Sequence, residues 1–469
     1  MAIALAKRRV VTVAPEASAG VNSRGIFQAP TASIDALPLV RDAKFTITPE
    51  SVDRPVLRQS LTKYPNIYPG VATVQIEVLM ELHGLPQNLE GGANVLAYSS
   101  PIWSDLIRAC AFEEVSTQGS PATIGGAAQS KEPRMYTGFT TFDTGEVLPM
   151  RHGETILADY GTAPDIGPTN TFVVGDTYFD DDTVCIEEAS GSTPGTGTLT
   201  LKAQTSGADT GTACVRDTSK IVAFRQKSNV NIMETVSMEI YLDGKRLQAK
   251  GLMGTFEIQM DHGDAIKARF VMQGVFHAYG DVAMPTNANE QHNVPPSFLG
   301  RDMRLRYHDG TATRTYGKDN AASINKGALN TIRIGPGNNV ILRKNSLDSA
   351  GILHALITER QGVGSFNPDE ILSGSPDNFD FITRFVAGKS FRMRAFIGSK
   401  QGDASTAFPT DGNSIDIIAP GLVFDGMADQ ERDGVNIWDA SFKLTGGDYD
   451  STDAGELPGN DNELTILYR

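Results

Sequence analysis

Calcium, phosphate, zinc and nucleophilic chemistry each need particular residues at set spacings, and this chain offers only partial sets. Asp180-Asp181-Asp182 and the trio Asp448, Asp450 and Asp453 are of the type that holds calcium. A calcium loop also needs alternating ligands, a turn glycine and a closing glutamate, which both sets lack, so each reads as a solvated acidic face. Gly335-Pro336-Gly337-Asn338-Asn339-Val340 has the outline of a phosphate loop. It lacks a third glycine and runs into a strand-like stretch rather than a helix, so it reads as a hairpin turn. The seven histidines are scattered and no two stand four apart, so a helical zinc pair is absent. His262 and His308 fall in turns beside Asp and Gly. Asp264 and His277 could serve a nucleophilic serine, but no G-x-S-x-G turn presents one. Cys110, Cys185 and Cys214 form no metal pattern and leave one over from any pairing. Cys110 reads as a small core residue. Cys185 and Cys214 flank a Gly/Thr/Ser-rich region and read as free thiols. A carbohydrate-active β enzyme would want paired carboxylates in an aromatic cleft. The only tryptophans, Trp103 and Trp438, both fall in core-like patterns. The expectation is a protein that is not an enzyme, with no cofactor and no metal.

The elements that would carry such groups are mostly strands. Glycine (47) and proline (24) are plentiful and aromatic residues are 7%, which fits a turn-rich β protein. The length suggests roughly two to four domains. Forty-one basic against 56 acidic residues give a net charge of −15, which should repel nucleic acid rather than hold it. No apolar run is long enough to span a membrane. At the start, Lys7-Arg8-Arg9 follows a short apolar stretch, the reverse of a secretory signal.

Residues 1–40 mix Ala, Pro, Gly and Ser with few periodic apolar positions and read as an arm with no core of its own. Structure is expected to begin near Lys44. Val74, Ile76, Val78, Met80 and Leu82 alternate with polar neighbours, a half-buried strand. A helix should follow, with Ser100 as N-cap and Pro101 in its first turn. Residues 113–230 are rich in Gly, Thr, Ser and Asp, with strand candidates at 183–187 and 198–202, and read as a β-rich insertion with structure of its own. A meander resumes: Val236, Met238, Ile240 and Leu242 alternate into Asp243-Gly244, a strong hairpin signal, and Phe256, Ile258 and Met260 alternate into Asp261-His262-Gly263-Asp264. Ile266, Ala268, Phe270 and Met272 complete it. A linker at 284–296 precedes a second unit, with strands expected at 389–397, 414–418, 436–444 and 463–467.

The two halves share an order of short motifs. Phe45-Thr46-Ile47-Thr48-Pro49 leads into Val56-Leu57-Arg58-Gln59-Ser60-Leu61, and Ile332-Arg333-Ile334-Gly335-Pro336 leads into Ile341-Leu342-Arg343-Lys344-Asn345-Ser346-Leu347. Strand-like stretches at 70–84 and 351–362 follow, then Ser-Pro helix starts at Ser100-Pro101 and Ser375-Pro376. Last come the late strands Ala268-Arg269-Phe270-Val271-Met272-Gln273-Gly274 and Ala440-Ser441-Phe442-Lys443-Leu444-Thr445-Gly446. A unit written twice suggests a protein that builds rings or arrays by repeating one interface.

The second half, from Asn330-Thr331-Ile332-Arg333-Ile334 through Gly337-Asn338-Asn339-Val340 and Ile357-Thr358-Glu359-Arg360 to Asn460-Asp461-Asn462-Glu463-Leu464, resembles a major tail (tail tube) protein of long-tailed bacteriophages. So does Tyr241-Leu242-Asp243-Gly244 through Gly254-Thr255-Phe256-Glu257-Ile258 to Phe270-Val271-Met272-Gln273-Gly274-Val275-Phe276. The resemblance covers most of both units but not the insertion. It implies a mainly β fold of two tandem β-sandwich or barrel-like units, each with a flanking helix. The first unit would occupy 41–283 and the second 297–469. It also implies stacked rings around a channel, three copies per ring with pseudo-sixfold symmetry, and an arm that orders on stacking. The implied partners are further copies, other tail and tail-terminator proteins, and double-stranded DNA in passage without specific binding. The implied location is the virion tail, assembled in the host cytoplasm.

An acidic channel wall would repel phosphates, and Glu77 and Glu81 on the polar face of their strand are the candidates for it. The same two residues also suit cross-strand pairs with Lys267 and Arg269, worth roughly 0.2–1 kcal/mol each. Arg392 and Arg394, on what reads as the comparable strand of the second unit, weaken the acidic picture. The insertion fits best on the outer surface. Another particle protein, such as a capsid decoration protein or a secretion-tube ring, is the competing reading.

Overall fold

The structure is a computed structural model. It describes residues 9–16, 24–31, 36–39, 43–51, 72–83, 103–115, 222–228, 233–285, 329–347, 351–369, 381–398, 414–445 and 463–468, with the backbone of short strands between 123 and 201 and between 303 and 317. The protein is mainly β, and its largest element is a 16-stranded antiparallel sheet.

In the first half the chain runs through the strands Lys44–Pro49 and Ala72–Glu81 and the helix Ser104–Arg108. It continues through the strands Val236–Leu242, Lys245–Asp261 and Lys267–Asp281. In the sheet these strands lie in the order Lys44–Pro49, Ala72–Glu81, Lys267–Asp281, Lys245–Asp261, Val236–Leu242. The second half runs through Leu329–Gly335, Val363–Pro368, the helix Phe381–Ala387, Phe391–Gly398, Ser414–Arg432 and Val435–Thr445. Their sheet order is Leu329–Gly335, Val363–Pro368, Val435–Thr445, Ser414–Arg432, Phe391–Gly398, so the two series have the same connectivity. They join where Leu329–Gly335, already paired with Val363–Pro368, pairs on its other side with residues 258–261.

Hydrogen-bond registers revise two of the sequence correspondences. The counterpart of Ala72–Glu81 in sheet order is Val363–Pro368, not the 351–362 stretch. Phe45 registers with Ile76 and Met272, and Ile332 with Phe366 and Ala440. The late strands therefore match four residues away from the expected alignment.

Strands such as Lys267–Asp281, Leu329–Gly335 and Val435–Thr445 hide alternate residues on one side. Ile76, Phe256, Ile258, Phe270, Ile332, Phe366 and Phe442 belong to one core cluster that spans both halves. Both helices lie against this apolar side and contribute Trp103, Leu106, Ile107 and Phe381. The chain's last strand, Thr465–Tyr468, sits between Val222–Gln226 and residues 415–418. The Tyr468 ring lies 4.0 Å from that of Trp103, tilted by 47°, and Phe224 closes the cluster. Buried residues of both halves thus share one core.

Several expectations change. Arg9–Pro15, assigned to the arm, is a strand paired with Val236–Leu242, and Val11 and Val13 are fully buried. A short apolar run gains little alone but suffices when a waiting sheet edge supplies its hydrogen bonds. The first helix begins at Ser104 with Trp103 as N-cap and no side-chain cap. Ser100 and Pro101 lie outside the described residues. Gly335-Pro336-Gly337 is not a hairpin turn. Leu329–Gly335 stays in the large sheet, while Asn338–Lys344 leaves it to pair with Ile352–Arg360 in a separate two-stranded ladder. Trp438 is half-buried rather than a core residue.

The region expected as an insertion contains a separate five-stranded sheet built from strands between Arg134 and Leu201. Its flanking strands, Phe112–Val115 and Val222–Gln226, pair with each other inside the large sheet.

Candidate functional site

Opposite the apolar side, the large sheet presents a polar face that runs across both halves. Residues directly across from each other in register point the same way. Glu77 faces Val271, Arg269 faces Glu257, Gln259 faces Arg333, Arg333 faces Ser365, and Ser365 faces Ser441. One continuous face therefore carries residues from six strands.

Five cations on or at the margins of this face are each matched to a carboxylate. Arg269 donates from two nitrogens to the two oxygens of Glu77, both at 3.1 Å. Arg333 donates to Asp261 at 2.8 and 3.0 Å across the junction between the halves. Lys443 donates to Asp425 at 2.7 Å, and Arg432 to Asp369 at 2.6 Å. Lys267 pairs with Asp264. The hydrogen bond from Lys267, with help from the Ala265 N–H, holds the Asp264 carboxyl below its usual range. Glu77 raises the Arg269 guanidinium, which is already ionised at any physiological pH. Amides extend the pattern, with Gln259 donating to Glu257 at 2.8 Å and Gln430 to Asp439 at 3.0 Å.

Glu77 and Glu81 both lie on the Ala72–Glu81 strand beside Lys267–Asp281. Glu77 adopts the cross-strand pair with Arg269. Glu81 stands directly across from Lys267, whose ammonium instead takes Asp264. The strand of Arg392 and Arg394 corresponds in sheet order to Val236–Leu242, not to the strand of Glu77. The side chains of both arginines lie outside the described residues.

Among the described residues the other chemical candidates do not assemble. Asp180, Asp181, Asp182, Asp448, Asp450, Asp453 and Cys214 lie outside the described residues, and Cys185 is described in backbone only. Among the described residues no group of three or more His, Cys, Asp or Glu could hold a metal ion. His277 stacks on Phe27 at 4.5 Å, and burial lowers its pKa. Cys110 is free and fully buried, which pushes its thiol well above the usual range.

Sequence reasoning missed a densely bonded buried side chain, Glu16. Its carboxylate is 2% exposed and accepts four hydrogen bonds. Gly25 N–H donates at 2.5 Å, Thr235 Oγ1 at 2.6 Å, Ser237 Oγ at 2.8 Å and Gly251 N–H at 2.6 Å. These contacts fasten the end of Arg9–Pro15 to the body. A single glutamate in an Ala/Pro/Ser stretch carries no local sign of this, because all four donors are remote in sequence.

No protein-family model matches the chain, and no curated protein matches it.

Proposed function

We propose that this chain is the structural subunit of a phage tail tube, polymerising as stacked rings around a channel through which DNA is delivered. The observation that carries this reading is the shared connectivity of the two strand series, which supports two copies of one unit in tandem. Two such units in one chain need three copies for a pseudo-sixfold ring.

The junction between the halves suggests how copies join. Leu329–Gly335 is an edge strand of the second series, and it adds to residues 258–261 of the first. The corresponding edge strand of the first series, Lys44–Pro49, pairs among the described residues only with Ala72–Glu81. Residues 431–432, which correspond to 258–259, pair among the described residues only with Val435–Thr445. Both edges are largely exposed. Exposed edges invite further strands, and a head-to-tail contact that closes makes a ring. The separate five-stranded sheet would then decorate the outside. Arg9–Pro15, already held in the sheet, is not the element that waits for stacking.

The test is electron microscopy of the purified protein at rising concentration, beside an Ile47→Lys variant that places a charge on the exposed Lys44–Pro49 edge strand. Stacked rings with threefold symmetry for the wild type, lost in the variant, are the expected result. Monomers at every concentration would overturn the tube reading, and small discrete oligomers that never stack would favour a decoration protein.

A further inference from the structure

We propose that the polar face of the sheet is a surface over which double-helical DNA slides without adhering, because five of its cations are masked by carboxylates of the same chain. The inference rests on the tube reading and concerns what the face does to a polyanion. DNA binds proteins chiefly by exchanging its condensed counterions for lysine and arginine side chains. An arginine already engaged at both oxygens of a carboxylate has no such exchange to offer, since a phosphate would first have to displace that partner.

The arrangement goes beyond a net acidic charge. A uniformly acidic face would repel the duplex, and unpaired cations would hold it. Here the pairs Arg269–Glu77, Arg333–Asp261 and Lys443–Asp425 alternate positive and negative across the two halves. Exposure shows that both signs reach solvent: the Arg269 and Lys443 side chains are each 43% exposed, and Asp425 is 52% exposed. A passing phosphate thus meets closely spaced opposite charges whose fields cancel within about a Debye length of 8–10 Å. One of these pairs spans the junction between the two halves, so the pattern is not interrupted there.

The experiment unmasks three cations in the full chain with Glu77→Gln, Asp261→Asn and Asp425→Asn combined. A control variant makes the same change in net charge away from the face. It combines Asp281→Asn, beside the Asp243-Gly244 turn, Glu359→Gln, in the two-stranded ladder, and Asp433→Asn, in a turn. Binding of a short fluorescent DNA duplex is read by anisotropy, and circular dichroism checks that each variant folds. Wild type and control are expected to bind negligibly. The unmasked variant should bind with a log–log salt slope of roughly −2.7, an affinity loss of about 40-fold between about 50 and 200 mM salt. A variant that binds no better than the control overturns the inference, as does a wild type that binds as the variant does. The measurement needs no assembly, so absent rings would count against the tube reading alone.

Discussion

Replacing Glu16 by glutamine should loosen the N-terminal strand while leaving the rest of the sheet intact. Two donors, Thr235 Oγ1 and Gly25 N–H, converge on one carboxylate oxygen, and Ser237 Oγ and Gly251 N–H on the other. An amide can satisfy only one of these pairs, because its NH2 group is itself a donor. Of the pair left facing that group, the hydroxyl can turn to accept from it, but the buried backbone N–H is left unsatisfied at a cost of about 1–3 kcal/mol. A net loss of about 2 kcal/mol follows. It falls on local opening of residues 9–16, since the other two elements at the site remain paired in the sheet without Glu16. Native-state hydrogen exchange read by mass spectrometry should show amides of Arg9–Pro15 exchanging roughly 30-fold faster, with those of Lys267–Asp281 unchanged. Unchanged exchange in Arg9–Pro15 would refute the argument that this carboxylate holds the strand.

Gly337→Ala should destabilise the protein far more than Gly434→Ala. Both have positive φ, but a Cβ at Gly337 would lie 1.9 Å from the Gln361 carbonyl oxygen, whereas nothing lies within 4 Å at Gly434. Left-handed strain alone costs about 1–2 kcal/mol, and the clash adds to it, so thermal melting should separate the two variants by several degrees. His354 is buried, and burial is the main cause that lowers its pKa, with Arg24 and Arg343 adding to it against the Ala355 carbonyl and Glu16. The unfolded chain, with an ordinary value of about 6.5, then binds the proton more readily than the folded one. Stability from this group is present above about pH 6.5 and is lost as pH falls below it toward the depressed folded value. His354→Gln should therefore shrink the drop in urea midpoint between pH 7.5 and 5.5, leaving a residual drop from His277, and an equal drop in both proteins would contradict this account.

Period-two alternation made the strands Ala72–Glu81, Val236–Leu242, Lys245–Asp261 and Lys267–Asp281 legible from the residues, and Asp243-Gly244 announced its hairpin, with φ of 21° and 98°. Both signals are local: alternation reports that one side of a strand is buried, and turn residues report that the chain reverses. The polar side of Ala72–Glu81 was legible for the same reason, as was the option that Glu77 pairs with Arg269. Whether Glu81 would take Lys267 was not, since that depends on Asp264 reaching the ammonium first.

Local signals do not name a strand's partner. Gly335-Pro336-Gly337 carries the same turn residues whether the chain folds back on its own strand or crosses to another ladder. Arg9–Pro15 looks like part of an arm until the edge of Val236–Leu242 is there to receive it. By itself the sequence determined the class of the protein, the sites of its turns and the sidedness of its strands, because these depend on neighbours in the chain. Only the tertiary structure decided that Thr465–Tyr468 closes the core against Trp103, that Glu16 gathers four remote donors, and that Arg333 meets Asp261 where the halves join. Those outcomes depend on which edges and donors remain unsatisfied after everything else has packed, and that is a property of the whole fold.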